Sequence, residues 1–106
     1  MEPISIPFTE EIQDEDDEHQ FFFEFTNNIF EDPTGNGNVD NKDDAINYND
    51  FDDNNLPVGL STQWTAGEAT TSAGSFRVIL KHQPELKDEN SDSNTGGTDI
   101  DITFAL

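Results

Sequence analysis

The chain contains no cysteine, which removes disulfides, thiol nucleophiles and cysteine-ligated zinc or iron–sulfur centres while leaving the redox compartment open. Positive charge is almost as scarce. Lys42, Arg77, Lys81 and Lys87 are the four basic residues, too few and too scattered to grip a phosphate backbone or an anionic bilayer. Nucleic acid and bare membrane are therefore not expected as partners. No apolar run is long enough to span a bilayer, and the first residues are acidic where a secretory leader would be basic and then apolar. An export signal or lipid anchor is accordingly expected outside these 106 residues. There is no glycine-rich phosphate loop between a strand and a helix and no Gly-x-Ser-x-Gly elbow. Carboxylates are so many that no acid/base pair stands out, and catalysis is not expected.

What the chain has instead is negative charge, a formal balance of −20, with 31% hydrophobic residues to build a small core. Polar, acidic connectors alternate with short stretches dense in aromatic and β-branched residues. That alternation predicts an all-β fold, an antiparallel sandwich of immunoglobulin-like size with acidic loops, incomplete at its N-terminus. The chain divides into an acidic segment over 1–18, holding part of a strand over 1–6 or a short helix that pairs Phe8 with Ile12, with disorder of the acidic run the alternative, and a β domain over 19–106.

Period-two patterning places Phe21, Phe23 and Phe25 on one face of a strand over 19–25, with Gln20, Phe22 and Glu24 on the other. A weaker strand is read over 46–51. Another over 59–65 carries Leu60, Thr62 and Trp64 on one face, Trp64 being the anchor of the core rather than a ligand contact. The clearest strand, 75–82, sets Phe76, Val78, Leu80 and His82 together, and Pro84 ends it. The last, 99–106, turns Ile100, Ile102, Phe104 and Leu106 inward and Asp99, Asp101 and Thr103 outward. The loop over 85–98 is read as a connector with no chemistry.

The Asp/Asn-rich loop over 27–55 carries two candidate calcium sites. Asp32, Thr34, Asn36, Asn38, Asp40 and Asp43 fall on ligand positions of a twelve-residue calcium loop, with Gly37 at its sharp turn. Alternating short oxygen side chains converge on a hard cation when a glycine folds the backbone between them. The twelfth position is Asp43 rather than a bidentate glutamate, and no helices flank the loop, so an EF-hand is not expected. A shorter candidate is Asp50, Asp52 and Asn54, with Asn55 in a left-handed turn. The same residues are also ordinary turn formers. Two histidines, His19 and His82, sit at strand ends beside acids; together they form a candidate site for zinc or a similar transition metal, or each makes a plain hydrogen bond.

The blocks Thr9-Glu10-Glu11-Ile12, Asp17-Glu18-His19-Gln20-Phe21-Phe22-Phe23, Tyr48-Asn49-Asp50-Phe51-Asp52, Leu56-Pro57-Val58-Gly59-Leu60, Phe76-Arg77-Val78-Ile79-Leu80-Lys81-His82-Gln83-Pro84 and Thr98-Asp99-Ile100-Asp101-Ile102-Thr103-Phe104 together span nearly the whole chain. In this order they resemble a family of small acidic lipoproteins of Bacteroidota labelled "type 1 periplasmic binding fold superfamily protein", often encoded beside a TonB-dependent receptor. The α/β fold in that label is a large domain, whereas these residues supply only short strands, so the expectation stays all-β. The resemblance implies an extracytoplasmic, outer-membrane-anchored lipoprotein on the periplasmic or cell-surface face, whose partner is an outer-membrane receptor or a neighbouring envelope protein. It carries no activity residue by residue.

The function expected is a non-enzymatic, cation-binding accessory of an outer-membrane uptake system. The alternative is a calcium-rigidified structural or adhesive module that pairs with another chain, or with itself, through strand edges. An acidic decoy acting by charge alone is a third.

Overall fold

A computed structural model describes residues 9–67 and 74–105. The expected strand over 1–6, Phe8 and Leu106 lie outside them. The architecture is all-β, in two antiparallel sheets. The chain enters through a short helix, α1 (Thr9–Asp14), and a 3-10 turn (Asp16–Glu18). The strands follow: β1 (His19–Phe25), β2 (Phe30–Asp32), β3 (Thr65–Ala66), β4 (Ser75–His82) and β5 (Gly97–Ala105). The larger sheet has the order β1-β4-β5, and β2 pairs with β3 in the smaller one.

Strong alternation of large apolar residues makes β1 and β4 form where expected, in an unbroken register from His19 opposite His82 to Phe25 opposite Phe76. Phe21, Phe23 and Leu80 then share one face and bury against Ile12 and Val58. Trp64 packs edge-on to Phe23, Phe25 and Phe76, and Phe30 of β2 closes on the same ring. The expected core role of Trp64 holds, and Ile12 is buried as the helical reading of the acidic run requires.

The two edges of the larger sheet differ. β1 is closed by irregular chain: the amides of Phe21, Phe23 and Phe25 donate to the Val58 carbonyl, the Asn38 side chain and the Asn36 carbonyl. β5 has no neighbour beyond it among the described residues.

Four expectations are corrected. The stretch over 46–51 is not a strand; Tyr48 and Phe51 make isolated bridges to Thr62 and Pro57. β2 was expected to be loop. The strand expected over 59–65 is reduced to β3 at Thr65–Ala66, with Thr62 making only an isolated bridge. Phe22, on the face opposite Phe21 and Phe23, is wholly buried too, so both faces of β1 are covered. Ile102 and Phe104, expected inward, are 47% and 51% exposed. Period two divides residues between faces, but it does not say which face another layer covers.

Candidate functional site

The β1–β4 register sets His19 directly opposite His82, on the face they share with Phe21 and Leu80. Directly opposed residues have Cβ atoms about 5 Å apart, and the two imidazoles stack with centroids 4.7 Å apart and planes 14° from parallel. Glu15, just before β1, brings a carboxylate to the same place. One donor atom from each of Glu15, His19 and His82 lies within 4.8 Å of the others, the one such grouping of three among the described residues. His19 is buried and His82 half-buried.

The hydrogen bonding defines which nitrogen of His19 is free. Nδ1 faces the Glu15 backbone carbonyl at 2.9 Å, and a carbonyl only accepts, so Nδ1 carries the hydrogen in that bond. In the neutral ring Nε2 then holds the lone pair. That nitrogen lies 3.8 Å from the Asp99 carboxylate.

Asp99 was expected on the outer face with Asp101, and this expectation is corrected. Leu80 pairs with Ile100 but Lys81 with Thr98, leaving Asp99 as the extra residue of a β-bulge. A bulge breaks strict alternation and re-aims a side chain. Asp101, on regular β5, keeps its place on the opposite face, where Arg77 donates Nε–H to Oδ1 at 2.8 Å and an Nη2–H to Oδ2 at 2.7 Å. The Arg77 hydrogen bonds hold the Asp101 carboxyl below its ordinary value of 3.8.

Below the histidines lies a buried ammonium. Lys87 Nζ contacts Asp52 Oδ2 at 3.0 Å, with both side chains fully buried, and donates to the backbone carbonyls of Asp16 and His19 at 2.9 and 2.8 Å. Two of its hydrogens are thus committed to carbonyls, and the Asp52 carboxylate faces its charge. Desolvation pushes its ammonium below its ordinary value of 10.5, with the Asp52 contact pulling the other way. Lys87 lies in the loop that the sequence marks as a featureless connector. Its only local signal is that it is one of four basic residues in an acidic chain.

The residues expected to ligate calcium mostly serve the fold. Asn38 is buried; its side chain accepts from the Phe23 amide at 3.0 Å and donates to the Tyr48 hydroxyl at 2.8 Å. That hydroxyl in turn donates to the Phe21 carbonyl, and burial pushes its ionisation above the ordinary value. Gly37, at φ +96°, is where the loop meets β1; a Cβ there would stand 1.9 Å from the Phe23 carbonyl oxygen. The Asn36 carbonyl is spent on Phe25, and Asp32 pairs with Thr65 between β2 and β3. Asp40 is exposed, and Asp43 accepts from Lys42 at 2.9 Å.

In the second candidate, the Asp50 carboxylate accepts from the amides of Gly59, Leu60 and Ser61. Asp52 Oδ1 accepts from the amides of Asn54 and Leu56, and Asn55 adopts the expected left-handed backbone at φ 62°. These carboxylates terminate turns, and a cation would have to displace backbone amides to reach them.

No family model, curated protein or solved structure matches this chain.

Proposed function

We propose that this protein is a non-enzymatic, cation-binding module of the cell envelope, an outer-membrane lipoprotein that serves as accessory to a TonB-dependent uptake receptor. The convergence of Glu15, His19 and His82 within 4.8 Å carries the cation-binding half of this reading. Two imidazoles and a carboxylate are a common donor set for zinc and its neighbours, and a chain charged −20 concentrates cations around it. The envelope setting and the receptor rest on the resemblance of the sequence blocks. The two sheets, joined through the Trp64 cluster, fit the halves of a small immunoglobulin-like sandwich.

The test is calorimetric titration of metal-stripped protein with zinc and with calcium, recording the melting temperature at each endpoint. A ligand that binds only the folded state raises its stability by mass action, so heat accompanied by a raised melting temperature is expected with zinc. No heat and no thermal shift with either ion would remove the cation-binding half.

A second reading, a structural or adhesive module that self-associates, is favoured by β5. Its outer edge has no neighbour among the described residues, and Ile102 and Phe104 are exposed beside it. Antiparallel pairing with a second copy about Ile102 would set Ile102 opposite Ile102, Ile100 opposite Phe104 and Asp101 opposite Thr103. Apolar residues would thus meet and no acid would face an acid. Copies charged −20 repel at long range, so a dimer formed this way tightens with added salt. Sedimentation across a range of concentration and salt tests it, and a monomer throughout would remove it. The calcium form of this reading draws less support, since Asn38, Asp50 and Asp52 already have protein partners.

A further inference from the structure

Resting on the cation-binding reading, we propose that the ion is a divalent transition metal of zinc's class, held by His19 Nε2, His82 and the carboxylates of Glu15 and Asp99. Asp99 is the member that no sequence pattern marks.

The argument begins with an opposition between acceptors. Because Nδ1 of His19 is committed to the Glu15 carbonyl, the lone pair of the neutral ring resides on Nε2, 3.8 Å from the Asp99 carboxylate. A nitrogen lone pair and a carboxylate attract each other only through a cation between them, a proton or a metal. His82 and Glu15 each bring a further donor within 4.8 Å of a donor atom of His19, and a proton does not need them. His19 also has the arrangement common to metal-ligating histidines, its other ring nitrogen donating to a backbone carbonyl that fixes orientation and tautomer.

The backbone supports the same assignment. Regular alternation would place Asp99 on the Arg77 face with Asp101; the bulge between Leu80 and Lys81 instead brings it to the histidines. Bulges are over-represented where a side chain must be re-aimed toward a site. Gly96 makes the turn into β5 possible: it sits at φ +82°, and a Cβ there would lie 2.2 Å from the His82 carbonyl oxygen. The site thus draws one ligand from each strand of the larger sheet and one from the segment before it. Behind it, Lys87 fixes the carbonyls of Asp16 and His19, and Asp52 balances its charge.

Donor chemistry selects the ion. Calcium and magnesium take oxygen ligands, whereas imidazole suits zinc, copper, nickel and iron. Donors on a tetrahedral zinc with bonds of about 2.0–2.1 Å stand roughly 3.3 Å apart, so the group must contract and the stacked imidazoles must turn out of parallel for their lone pairs to converge. Loading therefore changes the magnetic environment of both histidine rings.

The test titrates the metal-stripped chain with zinc, calcium and cobalt(II), following heat, the imidazole C–H resonances and the visible absorption of four-coordinate cobalt. The variants are His82→Ala, Asp99→Asn and Asp101→Asn. Asp99 is exposed, so its replacement does not threaten folding, and the melting temperature without metal checks all three. The expected result is one zinc per chain, bound at least about a hundredfold more tightly than calcium. His82→Ala should weaken zinc by about a hundredfold or more, and Asp99→Asn by about ten- to a hundredfold with an altered cobalt spectrum. Asp101→Asn should leave the zinc affinity within about twofold.

Zinc bound as tightly to His82→Ala as to the parent, or calcium bound at least as tightly as zinc, would overturn the inference while cation binding itself stood. An unchanged affinity and cobalt spectrum in Asp99→Asn would overturn the role of Asp99. No heat from any of the three ions would remove the cation-binding reading and this inference with it.

Discussion

Loops 32–43 and 85–98 exchange the roles that their compositions suggest. The first is dense in oxygen side chains at calcium-loop spacing, yet it closes the edge of β1: Asn38 and the backbone of Asn36 take the amides of Phe23 and Phe25. The second reads as a polar connector, yet it supplies the buried ammonium of Lys87 and leads into the bulge that carries Asp99. An aspartate or asparagine satisfies a backbone amide as readily as a cation, and tertiary structure decides which it meets. A lysine in a connector is unremarkable until burial removes its water.

The contrast breaks most sharply at Lys87. Replacing it with methionine keeps the volume of the stem but leaves the Asp52 carboxylate and two backbone carbonyls buried without their donor. Removing one partner of a buried ion pair costs about 3–5 kcal/mol. Lys87→Met should therefore lower the urea-unfolding free energy by that amount, a large share of the stability of a domain this size. The double variant Lys87→Met/Asp52→Asn should cost clearly less than the two single changes added together. A Lys87→Met effect below about 1 kcal/mol would show that the connector is as passive as its composition suggests.

The first loop gives the next largest effect. Asn38→Ala removes an acceptor from the Phe23 amide and a donor to Tyr48, both buried within the fold. About 1–3 kcal/mol is expected for polar groups left unsatisfied in this way. Asp40→Ala, at an exposed position of the same loop, should change the unfolding free energy by less than about 0.5 kcal/mol. Urea curves run with and without calcium measure both. If calcium stabilised the parent chain and Asp40→Ala abolished that gain, loop 32–43 would be a cation site after all.

Sequence periodicity reached the strands better than the site. The bounds of β4 and of β1 follow from alternation and from Pro84, and the strand-end histidines were visible as candidates. Their juxtaposition was not, because it depends on a register between strands more than fifty residues apart. Phe22 and Ile102 each lie on a face that alternation identifies, but the presence or absence of a covering layer is a property of the assembled sheets. The bulge at Asp99 reverses one residue's face without any local mark in Thr98-Asp99-Ile100. For Lys87, the informative signal was scarcity of positive charge rather than a motif.

The same contrast recurs two residues apart on β5, where it gives the smallest effect. Asp99 turns toward the histidines and Asp101 toward Arg77, so the two carboxylates have different partners. The Arg77 hydrogen bonds hold Asp101 below its ordinary 3.8 in the folded chain. Its contribution is fully present above that unfolded value and is lost as the pH falls through the lower folded one. The pair is partly exposed, and solvent screening limits it to about 0–1 kcal/mol. Asp101→Asn should therefore lower the urea midpoint slightly at neutral pH, by less in high salt, and approach the parent as the pH falls below 3.8. An Asp101→Asn curve that stayed as far from the parent in acid as at neutral pH would mean that the Arg77 hydrogen bonds do not set this acid dependence.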